Sequence, residues 1–515
     1  MRKLWKCIRN VLGVGALAGI LYIANPIKGE EKTLENEVTT ATISSNIVDE
    51  LTQDPNELIK EIISVCKTKQ EMQLIYEKKV QELKDAGIPT SLEQLLIKIP
   101  DTENGVLVYK KAFQQLEISQ QEYPKEWECI PPIRKFCGEN VCKFRTWENI
   151  PETTKKGLKK LFSDPNSDKL YETLKKASGM NCRFLSDEEY AQLGSSPNSL
   201  FIDQLNQLME ASSFLISRAQ VELKNNKIKE SYDTCLTSIK FAKSLSNEPL
   251  LRYQIPINSA VLQTVPIIKE LMEKQDPNDI GTYQAILDEL KNIRQKNISA
   301  YAIKGEIVSI GLPFFLSRTN FPEEYFKAGD KEKKEAKKFF GTDPLKFGLN
   351  QWKIDFTLYA DSMFQIVPLA EKQFFESGNK IKSMLDETNK SFPDNNKQLT
   401  SKGIYLSPMI IEVYYNTYEK EAVLDAVLGA AEIAISNRLY KKENGKYADS
   451  LEQLVPQNIA NLPTDPFTGK AYLYQKRGEG FKVYSSGKNL EDNGGDGTIE
   501  MVGMSGPDIV FELAK

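Results

Sequence analysis

The stretch LPTDPFTGKAYLY, from Leu462 to Tyr474, decides how the rest of the chain is read. Pro463, Pro466, Asp465 and Gly469 are turn chemistry. Proline fixes φ and withholds an amide, aspartate hydrogen-bonds its own backbone, and glycine tolerates positive φ. The segments AYLYQ and then FKVYSS alternate tyrosine with apolar residues and predict two strands, joined at Arg477-Gly478-Glu479-Gly480 by a hairpin turn. Upstream, a long helix from about Ser407 to Lys442 ends at Glu443-Asn444-Gly445, where glycine can take a left-handed C-terminal position. SLEQLV between helix and turn predicts a short amphipathic turn.

Ahead of that module the pattern is helical from about Asp49 to Glu443. Ile59, Ile62, Ile63 and Cys66 recur at helical spacing, as a buried face does, and NGVLVYKKAFQQL repeats the rule with Asn104 as N-cap. The clearest block runs from Leu200 to Lys274. One helix breaks at Asn225-Asn226, a second stops at Ser246-Asn247-Glu248-Pro249, and a third carries Pro256 and Pro266 as expected kinks. Helices joined by a few polar residues pack antiparallel to hide their apolar faces. The pair resembles a tetratricopeptide hairpin, but no second copy follows in register. Ile307 to Phe315, broken by Gly311 and Pro313, reads as a buried loop or helix end, and the charge run Lys327 to Lys338 as a solvated face. The expected fold is mainly α, an irregular helical-hairpin array over residues 49–400 with a small α+β module over 401–515.

The chain has 515 residues, more than a single core usually organises. Lys and Arg number 67 against 71 Asp and Glu, giving −4, with both signs interspersed. No basic stripe interleaved with aromatics exists, so no nucleic-acid partner is expected. Histidine is absent, so a Ser-His-Asp or Cys-His site cannot be built from this chain, and imidazole-based zinc sites are excluded with it.

The N-terminus has a cellular address. Arg2, Lys3, Lys6 and Arg9 precede an apolar run from Val11 to Ala24. At ~1.5 Å per residue that run spans roughly 21 Å, against ~30 Å of hydrocarbon, so with Leu4, Trp5 and Ile27 it makes a strained single span. Basic-then-apolar order over 1–27 predicts a signal anchor or signal peptide. Anchoring is preferred because Asn25-Pro26 stands where a cleavage site would lie. Residues 28–48, rich in Glu and Thr, read as a linker. The bulk of the chain is then exported. In an oxidising compartment Cys129, Cys137, Cys142 and Cys182 are disulfide candidates, with three pairings possible; a metal site at these cysteines is the sharper alternative. Cys66 and Cys235 read as buried thiols.

The C-terminal order resembles the globular part of the major pseudopilin of type II secretion systems. The matching residues are Gly445, Lys446 and Tyr447; Leu462, Pro463, Asp465, Pro466, Phe467 and Gly469; then Tyr472, Tyr474, Tyr484, Ser485, Gly487, Gly494, Gly495, Asp508 and Ile509. The likeness covers about the last hundred residues. The N-terminus lacks the prepilin-peptidase site of that family, so polymerisation in the usual way is not expected. The whole layout is similar to large exported proteins of planctomycetes and related bacteria, which carry a helical body ahead of such an ending. MNCRFLSDEEY adds to that likeness. The pseudopilin resemblance implies calcium at the acid-rich loop, held by Asp492, Asn493, Asp496 and Asp508, since a hard cation takes several oxygen ligands. Asn489 stands where that family usually has an aspartate.

For chemistry, Ser64-Val65-Cys66-Lys67 matches Ser-x-x-Lys without a companion motif, and Asp187-Glu188-Glu189 reads as a solvated helix start. The expected function is that of an exported, membrane-tethered interaction scaffold with envelope or secretion proteins as partners. The alternative is a periplasmic hydrolase using carboxylates in a helical cleft. A deep recess enclosing several acids favours the hydrolase, and a convex helical array favours the binder.

Overall fold

The computed structural model describes residues 55–128, 130, 147, 150–193, 199–274, 280–322, 334, 338, 344–391, 407–497, 499 and 508–514. The expected targeting segment and linker, Cys129, Cys137, Cys142 and the boundary expected near residue 400 lie outside them.

The fold is mainly α with a three-stranded antiparallel sheet near the C-terminus. We label the principal helices α1 (Pro55–Asp85), α2 (Val106–Glu122), α3 (Glu152–Leu161), α4 (Pro165–Ser178), α5 (Ser199–Lys224), α6 (Ile228–Leu245), α7 (Gln254–Lys274), α8 (Ile280–Arg294), α9 (Ile298–Glu306), α10 (Pro344–Ala370), α11 (Phe374–Ser391) and α12 (Ser407–Asn444). The strands are β1 (Leu473–Arg477), β2 (Gly480–Ser485) and β3 (Ile509–Leu513).

Local chemistry explains the starts and stops. Asn104 Oδ1 accepts the Val106 amide at 3.1 Å, which supplies one first-turn donor of α2 with a partner. Asp164 does the same for α4, taking the Asn166 amide at 2.7 Å with Pro165 at the first helical position. The α5–α6 break falls at Asn226, whose φ of 61° is left-handed, a conformation asparagine tolerates better than most residues. Ser186 caps the helix Asp187–Gln192, and Asp187, Glu188 and Glu189 are its exposed first turn. α6 packs on both α5 and α7, which also meet each other.

One expectation needs correction. Cys66 is exposed: the buried face of α1 runs through Val65, Met72 and Leu83, and the next residue on a helix points about 100° away. Cys235 is buried as expected. The stretch Ile307 to Phe315 is largely buried, as expected, and takes the helical alternative rather than the loop. It continues helically as a π-turn over Ile307–Gly311 into an α-turn over Leu312–Ser317. The wider turn absorbs Pro313 at a position where its missing amide is not needed. Among the described residues, Ile298–Asn320 is long and apolar enough to cross a membrane, with mean hydropathy 1.2, but 72% of that window is buried inside the fold.

Apolar packing forms two cores. One joins Met72, Phe315, Phe356 and Tyr359 to Ile411 and Tyr418. The other runs from Tyr109 and Leu116 through α5–α8 to Val427, Ile435, Phe481, Val483 and Phe511. α12 belongs to both, its first half in one core and its second half in the other. The sheet is therefore set into the helical body. β1 pairs with β2 through Tyr474↔Val483 and Arg477↔Gly480, leaving Gly478-Glu479 as the turn. β3 pairs with β2 through Val483↔Phe511; sequence reading stopped at two strands. The Leu462–Tyr474 stretch closes on Asp465. Its Oδ1 accepts from the Phe467 amide and the Ser485 hydroxyl, each at 2.9 Å, while its own amide donates to Lys470 O at 2.8 Å. Gly469 has φ of 70°, as this turn requires.

Candidate functional site

Two places carry grouped polar chemistry. The first is the acid-rich loop singled out from the sequence. Asp508 Oδ2 accepts the Gly495 amide at 2.7 Å and its Oδ1 faces the Asn493 amide at 3.4 Å. Asp492 Oδ1 accepts from the Gly494 amide at 2.9 Å and from the Tyr484 hydroxyl at 3.0 Å. Asn493 Oδ1 accepts from Asn489 Nδ2 at 2.8 Å. Lys482, 7% exposed at its side chain, donates from Nζ to Gly495 O at 2.7 Å. Gly495 makes room for it: a β-carbon there would collide with the lysine stem.

The loop thus has an internal cation and spends its oxygens on N–H and O–H donors. Asp492, Asn493 and Asp508 are neighbours, and Asp496 lies in the same loop. No group of three or more acidic or cysteine side chains among the described residues is placed to hold a metal ion. Asp492 Oδ1, Asn493 Oδ1 and both Asp508 oxygens face N–H or O–H donors rather than a common centre, while Asp496 is exposed in the same loop.

The second place was not read from the sequence. A recess of about 390 Å³ opens where the end of α8, the start of α9, the α10–α11 connection, the middle of α12 and Pro466 meet. Arg294 reaches it from α8. Its Nε donates to Glu432 at 2.8 Å, and its Nη1 stands 3.6 Å from Asp425 Oδ1, an ion pair too long for a hydrogen bond. Glu421 caps α9, accepting the Ile298 amide at 2.6 Å and the Ser299 amide at 3.0 Å, where a carboxylate meets the positive end of the helix. Asn297 holds that turn with φ of 44°, its side chain bonded to the Ala300 amide and to Ala370 O.

Asp425 is the unsettled member. Its Oδ1 is sealed from solvent and accepts no hydrogen bond, while the side chain as a whole keeps 28% exposure on the recess wall. Burial pushes its carboxyl up to about 7; Arg294 pulls it down, and Glu421 and Glu432 push it up again. The available signal was the spacing of Glu421, Asp425 and Glu432, which puts three acids near one face of an Ala-rich helix. Arg294 is remote in sequence, so their meeting is tertiary.

A further acid, Glu248, is fully buried, with the Phe184 amide and the Tyr190 hydroxyl donating to its carboxyl oxygens. Beside it Cys182 is a free thiol whose Sγ lies 3.6 Å from Met180 O. Burial raises that thiol to about 12, so it is not a reactive thiolate. The cysteines expected to bridge to it lie outside the described residues. Ser64 and Lys67 are both exposed on α1. Comparison with models of known families, with curated proteins and with solved structures found no match.

Proposed function

We propose that the chain is an exported scaffold, tethered to the membrane by its first segment, whose helical body carries a pseudopilin-like C-terminal module toward envelope or secretion partners. The observation that carries this reading is the shared core. Phe481, Val483 and Phe511 of the sheet pack with Val427 and Ile435 of α12 and with Ile257 and Ile268 of α7. A module buried into its support keeps a fixed orientation, which a presenting scaffold needs and a flexibly tethered domain lacks. The order of long helix, Asp465-centred turn, hairpin and acid-rich loop supports the pseudopilin-like reading. The basic-then-apolar N-terminus supports export.

The hydrolase reading draws on the recess, which does gather acids. Glu421 and Glu432, however, are engaged by α9 amides and by Arg294, leaving Asp425, held only by its 3.6 Å ion pair to Arg294, as the least committed of the three. Carboxylate hydrolysis takes an acid and a base working as a pair. The scaffold reading is tested by placing a photo-crosslinking residue at Glu479, on the exposed hairpin tip, in living cells. Crosslinks to envelope or secretion proteins are expected. A crosslinked set drawn wholly from the cytoplasm contradicts the proposal.

A further inference from the structure

We propose that the recess between the helical body and the C-terminal module binds a small organic amine, with the ammonium group held by Asp425 beside the paired rings of Phe374 and Tyr418. Glu421 and Asp425 face the recess from α12 and Glu432 stands behind them, against the Arg294 guanidinium from α8, with Lys291 of the same helix acting on Glu432. Glu371 and Lys372 also line the recess, both exposed at its rim, with Glu371 paired to Lys304. From the module, the Tyr472 hydroxyl donates to Ala426 O at 3.1 Å and brings no charge. The interior is short of positive charge, and Asp425 is where the shortage falls: its Oδ1 has only the 3.6 Å ion pair to Arg294, and the rest of its side chain is partly exposed on the recess wall.

An anion entering this recess meets Glu421 and Asp425 on its inner wall with Glu432 behind them, and a neutral ligand leaves the imbalance untouched. An ammonium group corrects it and offers several donors to one acceptor. Phe374 and Tyr418, with ring centroids 5.2 Å apart, line the same recess and supply aromatic surface that attracts a cation. A volume of about 390 Å³ lies at the low end of small-molecule sites and is too small for a folded segment. The raised carboxyl of Asp425 agrees with the geometry, since a bound ammonium would restore its ionised form. The inference does not depend on how the scaffold meets its partners.

The full chain is titrated calorimetrically with 1,5-diaminopentane at about pH 8, with 1,5-pentanediol as the uncharged control and a capped Gly-Lys-Gly peptide as a second arm. The diamine is expected to bind and the diol not to. Asp425→Asn is expected to weaken the diamine about tenfold, the scale of one charge-assisted hydrogen bond. Lowering the wild type to about pH 5.5, where Asp425 holds its own proton, should weaken binding comparably. That measurement stands even if the variant does not fold. Equal binding of diol and diamine, no diamine binding, or a flat pH profile overturns the proposal. Tighter binding of the peptide overturns the small-molecule assignment in favour of a partner's lysine.

Discussion

The hydroxyl of Tyr472 lies over Gly429, so close that a β-carbon on Gly429 would collide with it. The same hydroxyl donates to Ala426 O at 3.1 Å, one turn back along α12. The turn that opens the sheet is therefore docked on the longest helix through a glycine notch. Gly429→Ala sets two effects against each other. Alanine favours an exposed helix interior by about 1 kcal/mol, whereas overpacking a fitted contact costs about 1–3 kcal/mol. The collision is with a buried ring held on both sides, so a net loss of about 2 kcal/mol is expected in chemical denaturation. Gly429→Ala with Tyr472→Phe should regain part of it. A more stable single variant would show that the notch is not needed.

Lys482 gives the second prediction. Its ammonium lies inside the acid-rich loop, so Lys482→Met leaves Gly495 O without its donor and should cost about 1–3 kcal/mol. The wild-type melting temperature should not respond to a calcium chelator. A chelator-sensitive melt would mean that calcium, rather than the lysine, holds Asp492 and Asp508 in place.

Glu248 makes stability depend on pH. Burial pushes its carboxyl up to about 7, outweighing the bonds from Tyr190 and Phe184. A carboxyl whose folded value lies above its unfolded value binds more protons when folded, so its contribution to stability falls as pH rises from about 4.5 to about 7. Glu248→Gln removes that slope. The melting-temperature difference, variant minus wild type, should therefore rise across this window, read by differential scanning fluorimetry. Glu248→Ala should be destabilised at every pH by about 2–4 kcal/mol, since it strands the Phe184 amide and the Tyr190 hydroxyl. A pH-independent difference for Glu248→Gln would place Glu248 outside the titrating set.

Local chemistry was legible and tertiary chemistry was not. Asp465, Gly469 and the Arg477–Gly480 turn are short-range devices, and they stand as the sequence predicts. The same holds for Asn226 at the α5–α6 break and for Gly445, whose φ of 74° ends α12. β3 escaped because its pairing with β2 crosses a loop and its short apolar run has no alternation to mark a strand. Cys66 was misplaced because helical spacing does not say which of two adjacent stripes meets a neighbour. The recess depends on Arg294 meeting Asp425 and Glu432, and on Glu421 meeting the start of α9, across the fold, which no local pattern encodes. The lysine inside the acidic loop was equally hidden, since the alternation of β2 does not reveal that Lys482 points into the protein.

The central claim is that the C-terminal sheet and the helical body share one core. Native-state hydrogen exchange across low denaturant concentrations tests it most directly, by comparing amides of β2 with those of α6 and α7. The shared core predicts that both sets open in the same highest-energy event, with matching free energies and denaturant dependence. Full exchange of β2 through a separate, cheaper opening while α6 and α7 stay protected would contradict it.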